Sequence, residues 1–179
     1  MIKKRLLLHS CCAPCSSSVL ERLKDEYDIT VYYYNPNIFP QGEYYRRLEE
    51  QVNLLDKLKI SYIIDTYEPK EFAEATKGYE KYPEGSIRCF QCYKLRLSKT
   101  AKVAKMQNFD VFCTTLSVSP HKNSKWINEI GKELENQYGI EFLAEDFKKK
   151  NGYLRSLQLS KEYGLYRQSY CGCKPRGEE

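Results

Sequence analysis

No apolar run in these 179 residues approaches the roughly 18 that a membrane-crossing helix needs. The one early apolar stretch, Leu6-Leu7-Leu8 after Lys3-Lys4-Arg5, is too short for a secretory signal core of roughly 7–15 residues. The expectation is a cytoplasmic protein. No internal repeat and no low-complexity linker interrupts the chain, so one domain over residues 1–179 is expected. A glycine- and serine-rich phosphate loop is also missing after the first expected strand. Cysteine and proline stand there instead, which argues against ATP.

What is present narrows the class further. With 41% hydrophobic and 30% charged residues, the chain is neither disordered nor collagen-like. A chain of this length buries roughly 70% of the surface that unfolding exposes, so its core needs no disulfide staples. The net charge of +5 permits a polyanionic partner without requiring one.

Strand and helix signals alternate. Strands are expected at 5–9, 29–34, 60–65, 110–114 and 140–144, where apolar and β-branched residues cluster between turn signals. Helices are expected at 16–27, 43–59, 69–77, 92–107, 124–138 and 156–163. The second carries Leu48, Val52, Leu55 and Leu58 on one stripe, Ser124 serves as cap for the fifth, and 81–88 is a loop with Pro83 and Gly85. Such alternation predicts an α/β fold: a mostly parallel sheet with helices on both faces. In such sheets ligands bind beyond the carboxyl ends of the strands. The Cys11 loop, Asn35 to Asn37, Thr114 to Asn123 and Asp146 all fall there, and the tail 164–179 is expected to complete the site.

The cysteines carry the chemistry. Seven of the eight fall in three tight clusters. In a cytoplasmic chain such clusters read as metal-binding or redox-active. Cys89-Phe90-Gln91-Cys92 has the spacing by which two thiolates grip one metal or cluster. Cys11-Cys12-Ala13-Pro14-Cys15 adds three thiols at a strand-to-helix turn, with Cys15 near a helix N-terminus that favours thiolates. Two thiols from each make a four-thiolate site. Structural zinc and an iron–sulfur cluster both suit it. Against zinc, a domain with a good core gains little from a staple, and three clustered cysteines are left over. Cys171-Gly172-Cys173 would close a strained ring if oxidised, and strained disulfides tend to be labile or catalytic. It is a redox pair, a source of further ligands, or two idle tail thiols. Cys113 lies in the apolar strand Val111-Phe112-Cys113 and is expected in the core.

Other polar residues have two readings each. The hydroxyls, His121 and Lys122 between 114 and 123 suit phosphate at a helix start, or a capped, solvated turn. Asp146-Phe147-Lys148-Lys149-Lys150 is a site carboxylate with a basic rim for nucleic acid, or a solvated charge run. His9 is expected as a hydrogen-bonded core residue. Arg167 and Tyr170 flank the last cysteines and are placed in the same pocket.

Six motifs stand in order from Leu6 to Cys173: Leu8-His9-Ser10-Cys11-Cys12-Ala13-Pro14-Cys15, Tyr34-Asn35-Pro36-Asn37-Ile38, Arg88-Cys89-Phe90-Gln91-Cys92-Tyr93, Thr114-Thr115-Leu116 with Ser119-Pro120-His121-Lys122, Asp146-Phe147-Lys148-Lys149, and Tyr166-Arg167-Gln168-Ser169-Tyr170-Cys171-Gly172-Cys173. Together they resemble the cobalamin-independent epoxyqueuosine reductases. The resemblance implies a Rossmann-like fold and reductive removal of the epoxide oxygen from epoxyqueuosine at the tRNA wobble position, leaving queuosine. It implies a [4Fe–4S] cluster on Cys11, Cys12, Cys89 and Cys92, an adjacent mononuclear iron, no cobalamin, and a redox-active Cys171–Cys173 pair. Cys15 is a further metal-ligand candidate. Loss of the oxygen as water calls for a proton donor, with Asp146, His121 and Tyr170 as candidates. Lys122, Lys148, Lys149 and Arg167 are expected on tRNA phosphates, and an external low-potential donor supplies electrons. The rival expectations are a non-catalytic zinc module that binds RNA, another tRNA-modifying enzyme of similar fold, and a metal-free thiol–disulfide oxidoreductase.

Overall fold

The structure, a computed structural model, describes residues 2–173; Met1 and 174–179, the end of the expected tail, lie outside the described residues. Parallel strands β1 (Lys4–His9), β2 (Tyr27–Tyr33), β3 (Ser61–Ile64), β4 (Val111–Thr114) and β5 (Glu141–Phe142) form one sheet in the order β3-β2-β1-β4-β5. β1 is central. Its Leu6, Leu7 and Leu8 are fully buried, as a near-continuous apolar run in a two-sided parallel sheet should be.

The pleat divides the core. Leu7 and Phe112 face α4 (Ile87–Met106) and α5 (Ser124–Tyr138), packing with Leu97, Ala101 and Ile127. Leu6, Leu8, Val31 and Val111 face the other way, against Val19 and Leu20 of α1 (Ala13–Leu23) and Leu55 of α2 (Gln41–Leu58). The short α3 (Pro69–Ala75) packs on α4, and α6 (Gly152–Glu162) packs on α1. The expected α/β architecture is therefore the observed one.

Several boundaries differ from expectation, each for a local reason. α1 starts at Ala13, not residue 16, with Pro14 in its first turn, where a missing N–H costs nothing. α4 starts at Ile87 instead of residue 92. Cys89 and Cys92 therefore stand one turn apart on a single helix face. α6 starts at Gly152 rather than residue 156. Asn123, not Ser124, caps α5: its side chain accepts from the Trp126 N–H at 3.2 Å. On α2 the buried face carries Arg47 and Gln51 beside Tyr44, Leu54 and Leu55. The purely apolar stripe expected there is half polar.

His9, at the carboxyl end of β1, is fully buried. Its Nε2 lies 3.0 Å from the Tyr34 carbonyl and its Nδ1 2.9 Å from the Thr114 hydroxyl. A carbonyl only accepts, so Nε2 carries the proton and Nδ1 accepts from Thr114. The neutral ring thereby ties the ends of β2 and β4 across β1. Burial, reinforced by the Arg96 charge, pushes its pKa down from 6.5 to about 4. Between those pH values the unfolded chain binds a proton that the folded chain refuses, so stability falls as pH drops from 6.5 towards 4. The expected loss by pH 4 is about 3 kcal/mol. Urea midpoints for His9→Gln should lose this part of the acid-side slope, and an unchanged pH profile would show that His9 is not its source.

Candidate metal centre

The order β3-β2-β1-β4-β5 turns about β1 and β4. The chain leaves β1 towards α1 on one face and β4 towards α5 on the other, which opens a crevice at their carboxyl ends. Cys11 and Cys12 follow β1 in this crevice, and α1 then returns Cys15 one turn on. The Sγ atoms of Cys11, Cys12 and Cys15 all lie within 4.8 Å of one another, and that of Cys11 is 3.7 Å from Cys12. Thr115, just past β4, closes the other side: its Oγ1 accepts from the Cys11 N–H at 3.4 Å and sits 3.6 Å from the Cys11 sulfur.

Buried polar bonds fix this loop. Asn35 Nδ2 donates to the Ser10 carbonyl at 2.8 Å. Gln51 Oε1 accepts from Ser10 Oγ at 2.6 Å and from Ser16 Oγ at 2.9 Å. One side chain of α2 thus holds both ends of the cysteine loop.

A second group of thiols forms nearby. Cys89 and Cys92 project from the start of α4, and Cys89 Sγ accepts from the Gly85 N–H at 3.2 Å. Burial pushes the Cys92 thiol up to about 12, with the charges of Cys171, Cys173 and Cys89 adding to the shift against the opposing Arg96. The Cys173 thiol is raised by burial, then by Cys171. Arg47 sets this tail in place: its Nη1 donates to the Cys171 carbonyl at 2.7 Å, its Nη2 to the Tyr170 carbonyl at 3.0 Å, and its Nε to Glu43 at 2.7 Å. Gly172 has a φ of +145° and presses on Ile38, where a Cβ would lie 3.1 Å from the Ile38 side chain. Only glycine fits the tail there.

A cavity of about 330 Å³ runs from the triad to the tail, lined among others by Cys11, Cys12, Cys15, Arg96, His121, Lys122, Arg167, Tyr170 and Cys171. That is room for a small-molecule-sized group. Arg96 is 1% exposed. Its Nη1 reaches Asn35 Oδ1 at 3.4 Å, while Nε and Nη2 have no hydrogen-bond partner. Burial opposes the charge of Arg96, and Cys92, Cys171 and Cys11 outweigh it, holding the group above its ordinary pKa. Lys122 is held up likewise by Cys171 and Cys11 against burial. Within the triad, hydrogen bonds from Cys12 and Cys15 hold Cys11 well below the usual thiol value, and Cys12 and Cys15 are raised in turn. Gathered thiols beside the buried Arg96 and the half-buried Lys122 fit a metal group of net negative charge.

Not every candidate stands at the cavity. Asp146 does not line it. Ser124 donates to its Oδ2 at 3.2 Å and Lys148 Nζ to its Oδ1 at 3.1 Å. Burial alone would raise this carboxyl, but Lys148 and Ser124 hold it below its ordinary value. Lys148 Nζ also donates to the Ser117 carbonyl at 3.0 Å. Lys149 is exposed. Cys113 is core, 1% exposed, with its sulfur 3.2 Å from the Leu143 carbonyl. No motif or spacing singles out Arg47, Gln51 and Arg96. Arg96 follows Cys92 at i+4 and so shares its helix face, the one signal that could have found it.

Known proteins share this chain's pattern. A family model described as Epoxyqueuosine reductase QueH matches residues 6–175. Epoxyqueuosine reductase QueH of Streptococcus pyogenes serotype M1 is 42% identical over 178 residues, covering 96% of this chain and 70% of that protein. The protein of that name from Thermotoga maritima is 37% identical over 171 residues, covering 94% of this chain and 88% of its own length. Among solved structures, the U34-tRNA thiolase NcsA from Methanococcus maripaludis with its [4Fe-4S] cluster aligns at a TM-score of 0.63 over 98% of this chain and 62% of that one. At 13% identity the likeness is one of fold.

Cys15→Ala should lower the metal bound per chain in anaerobically purified protein, whereas Cys113→Ala should leave it unchanged. Elemental analysis of both variants checks this; equal losses would mean that the triad is not the metal site.

Proposed function

This chain belongs to the epoxyqueuosine reductase QueH family, and we propose that its thiol-lined cavity is where the epoxide of epoxyqueuosine in tRNA is reduced. The chain is an oxidoreductase of queuosine biosynthesis. Epoxyqueuosine, two electrons and two protons give queuosine and water. The observation that carries the site is the Cys11, Cys12 and Cys15 triad opening into the same cavity as the buried Arg96.

The proposal draws the ligands of a [4Fe–4S] cluster from Cys11, Cys12 and Cys15 with Cys89 and Cys92, and takes Cys171 and Cys173 as the redox-active thiols beside them. An iron next to the cluster belongs to the same proposal. When bound, such a cluster supplies electrons one at a time at low potential, replenished by an external low-potential donor. The chain's own residues do the rest. Arg96 and Lys122 place positive charge where oxygen leaves carbon as an anion, so they favour that charge in a site shielded from water. His121 and Tyr170 line the cavity and are the proton donors of the proposal, Tyr170 once its hydroxyl turns from the Phe39 carbonyl that it meets here. Asp146, expected in that role, is retained only as a fastener: it holds Lys148 on the Ser117 carbonyl and so keeps the segment after β5 in place.

Arg167 lines the cavity mouth, and with the exposed Lys149 it supplies cations for tRNA phosphate, while Lys122, expected there too, is drawn in toward Cys11 and Cys171. Lys148 is already engaged within the chain. The experiment is an anaerobic turnover assay on tRNA carrying epoxyqueuosine, with the released nucleosides resolved by mass spectrometry. Formation of queuosine that depends on protein iron supports the site; zinc without acid-labile sulfide, and no product after reconstitution, would return the chain to the zinc-module alternative.

Three variants refine it. Asp146→Asn should keep turnover within a few-fold, while Tyr170→Phe should lower kcat by about 10²-fold or more if Tyr170 is the proton donor. Arg167→Gln should reduce the slope of log Kd against log salt by about one, and an unchanged slope would remove Arg167 from the tRNA contacts.

A further inference from the structure

We propose that the exposed ring of Phe39, together with Tyr45 at the start of the α2 helix that follows it, is a stacking platform for an unpaired nucleotide next to the one whose base enters the cavity; this rests on the tRNA reading above. Phe39 is 57% and Tyr45 51% exposed. A scattered apolar side chain on a surface means little. The backbone of Phe39, however, is tied on both sides to the tail that lines the cavity. Its N–H donates to the Gly172 carbonyl at 2.8 Å, and its carbonyl accepts from Tyr170 Oη at 2.5 Å. Tyr170 is part of the cavity wall, and the Tyr170 and Cys171 carbonyls are held by the buried Arg47. The ring therefore stands in water from a rigid point on the cavity rim.

Tyr45 is braced in the same way. Its ring meets Tyr44 edge-on at 5.3 Å and Tyr67 at 6.4 Å. Tyr67 donates to the Ile38 carbonyl at 2.5 Å, one residue before Phe39. Next to Tyr45, the exposed Arg46 lies 3.5 Å over the Tyr166 ring, immediately before Arg167. The rim thus offers exposed aromatic rings on an anchored backbone, and the start of α2 that carries Tyr45 also carries the Arg46 guanidinium. That combination recognises unpaired nucleotides: bases stack on the rings and phosphates meet the arginines. A wobble base that reaches the cavity brings its loop neighbours to this rim. A backbone already held in place adds little ordering cost on binding, so stacking there forgoes mainly the rotation of the side chain itself.

The test uses the metal-loaded protein and a fluorescently labelled anticodon stem-loop, with an RNA duplex of equal length as reference. Phe39→Ala should weaken stem-loop binding by about 10-fold, leave duplex binding and the salt slope unchanged, and raise KM on epoxyqueuosine-tRNA while keeping kcat. Phe39→Trp should restore affinity. Met106→Ala, an exposed apolar residue at the end of α4, should change nothing. Unchanged stem-loop affinity in Phe39→Ala, or a loss that Phe39→Trp does not restore, overturns the platform. Failure of the unaltered protein to bind the stem-loop would instead overturn the tRNA reading.

Discussion

A guanidinium sealed in the interior has to be neutralised by something, and around Arg96 the groups able to do so are sulfurs. Asn35 takes one of its N–H groups, and two of its nitrogens have no hydrogen-bond partner. An uncompensated buried charge of this kind costs several kcal/mol. Cys11, Cys92 and Cys171 approach it from the β1 loop, the start of α4 and the tail. The charge makes sense when those sulfurs carry negative charge, as they do on a metal. The cations and the thiols therefore belong to one design, in which each makes the burial of the other tolerable.

The same logic runs through the tail. Cys171 and Cys173 lie more than 150 residues from the first cysteine loop in sequence, yet they reach the same crevice. Arg47, 2% exposed, brings them there by grasping two successive carbonyls while Glu43 holds its Nε. Glu43 also accepts from Tyr166 at 3.2 Å. Hydrogen bonds from a charged donor to backbone carbonyls are stronger than neutral ones and do not depend on which side chains the tail carries. The tail is thus held by its backbone, and its sulfurs take no part in these bonds. Gln51 does the corresponding work for the first loop, through Ser10 and Ser16. Both holders sit on one buried face of α2, one turn apart.

This division also separates the competing functional classes. A closed structural zinc site needs its four ligands and little else. Here the thiols open onto a cavity shared with Arg96, Lys122, His121, Tyr170 and Arg167, so the sulfurs border a space that a reacting group can enter. A Gly-rich phosphate loop would have given the strand-to-helix turn to a nucleotide; here the turn carries Cys11, Cys12 and Cys15, whose three sulfurs lie close enough together to hold a metal ion.

The alternation of apolar strands and amphipathic helices, readable without coordinates, set the α/β architecture, because hydrophobic periodicity is local and the parallel sheet follows from it. The cysteine spacings marked the chemistry for the same reason: thiols one to four residues apart stay together in any fold. Helix starts were less legible. α4 runs back to Ile87 and takes Cys89 onto its first turn, with Ser86 in extended conformation before it. Only the tertiary structure decided which thiols meet, and that Asp146 turns to Lys148 instead of the cavity. It also decided that Arg47, Gln51 and Arg96, charged or polar residues that sequence alone would place in water, are buried. Sequence spacing fixes what lies next to what along the chain. The partners of a buried charge come from distant segments, and only their packing brings them within reach.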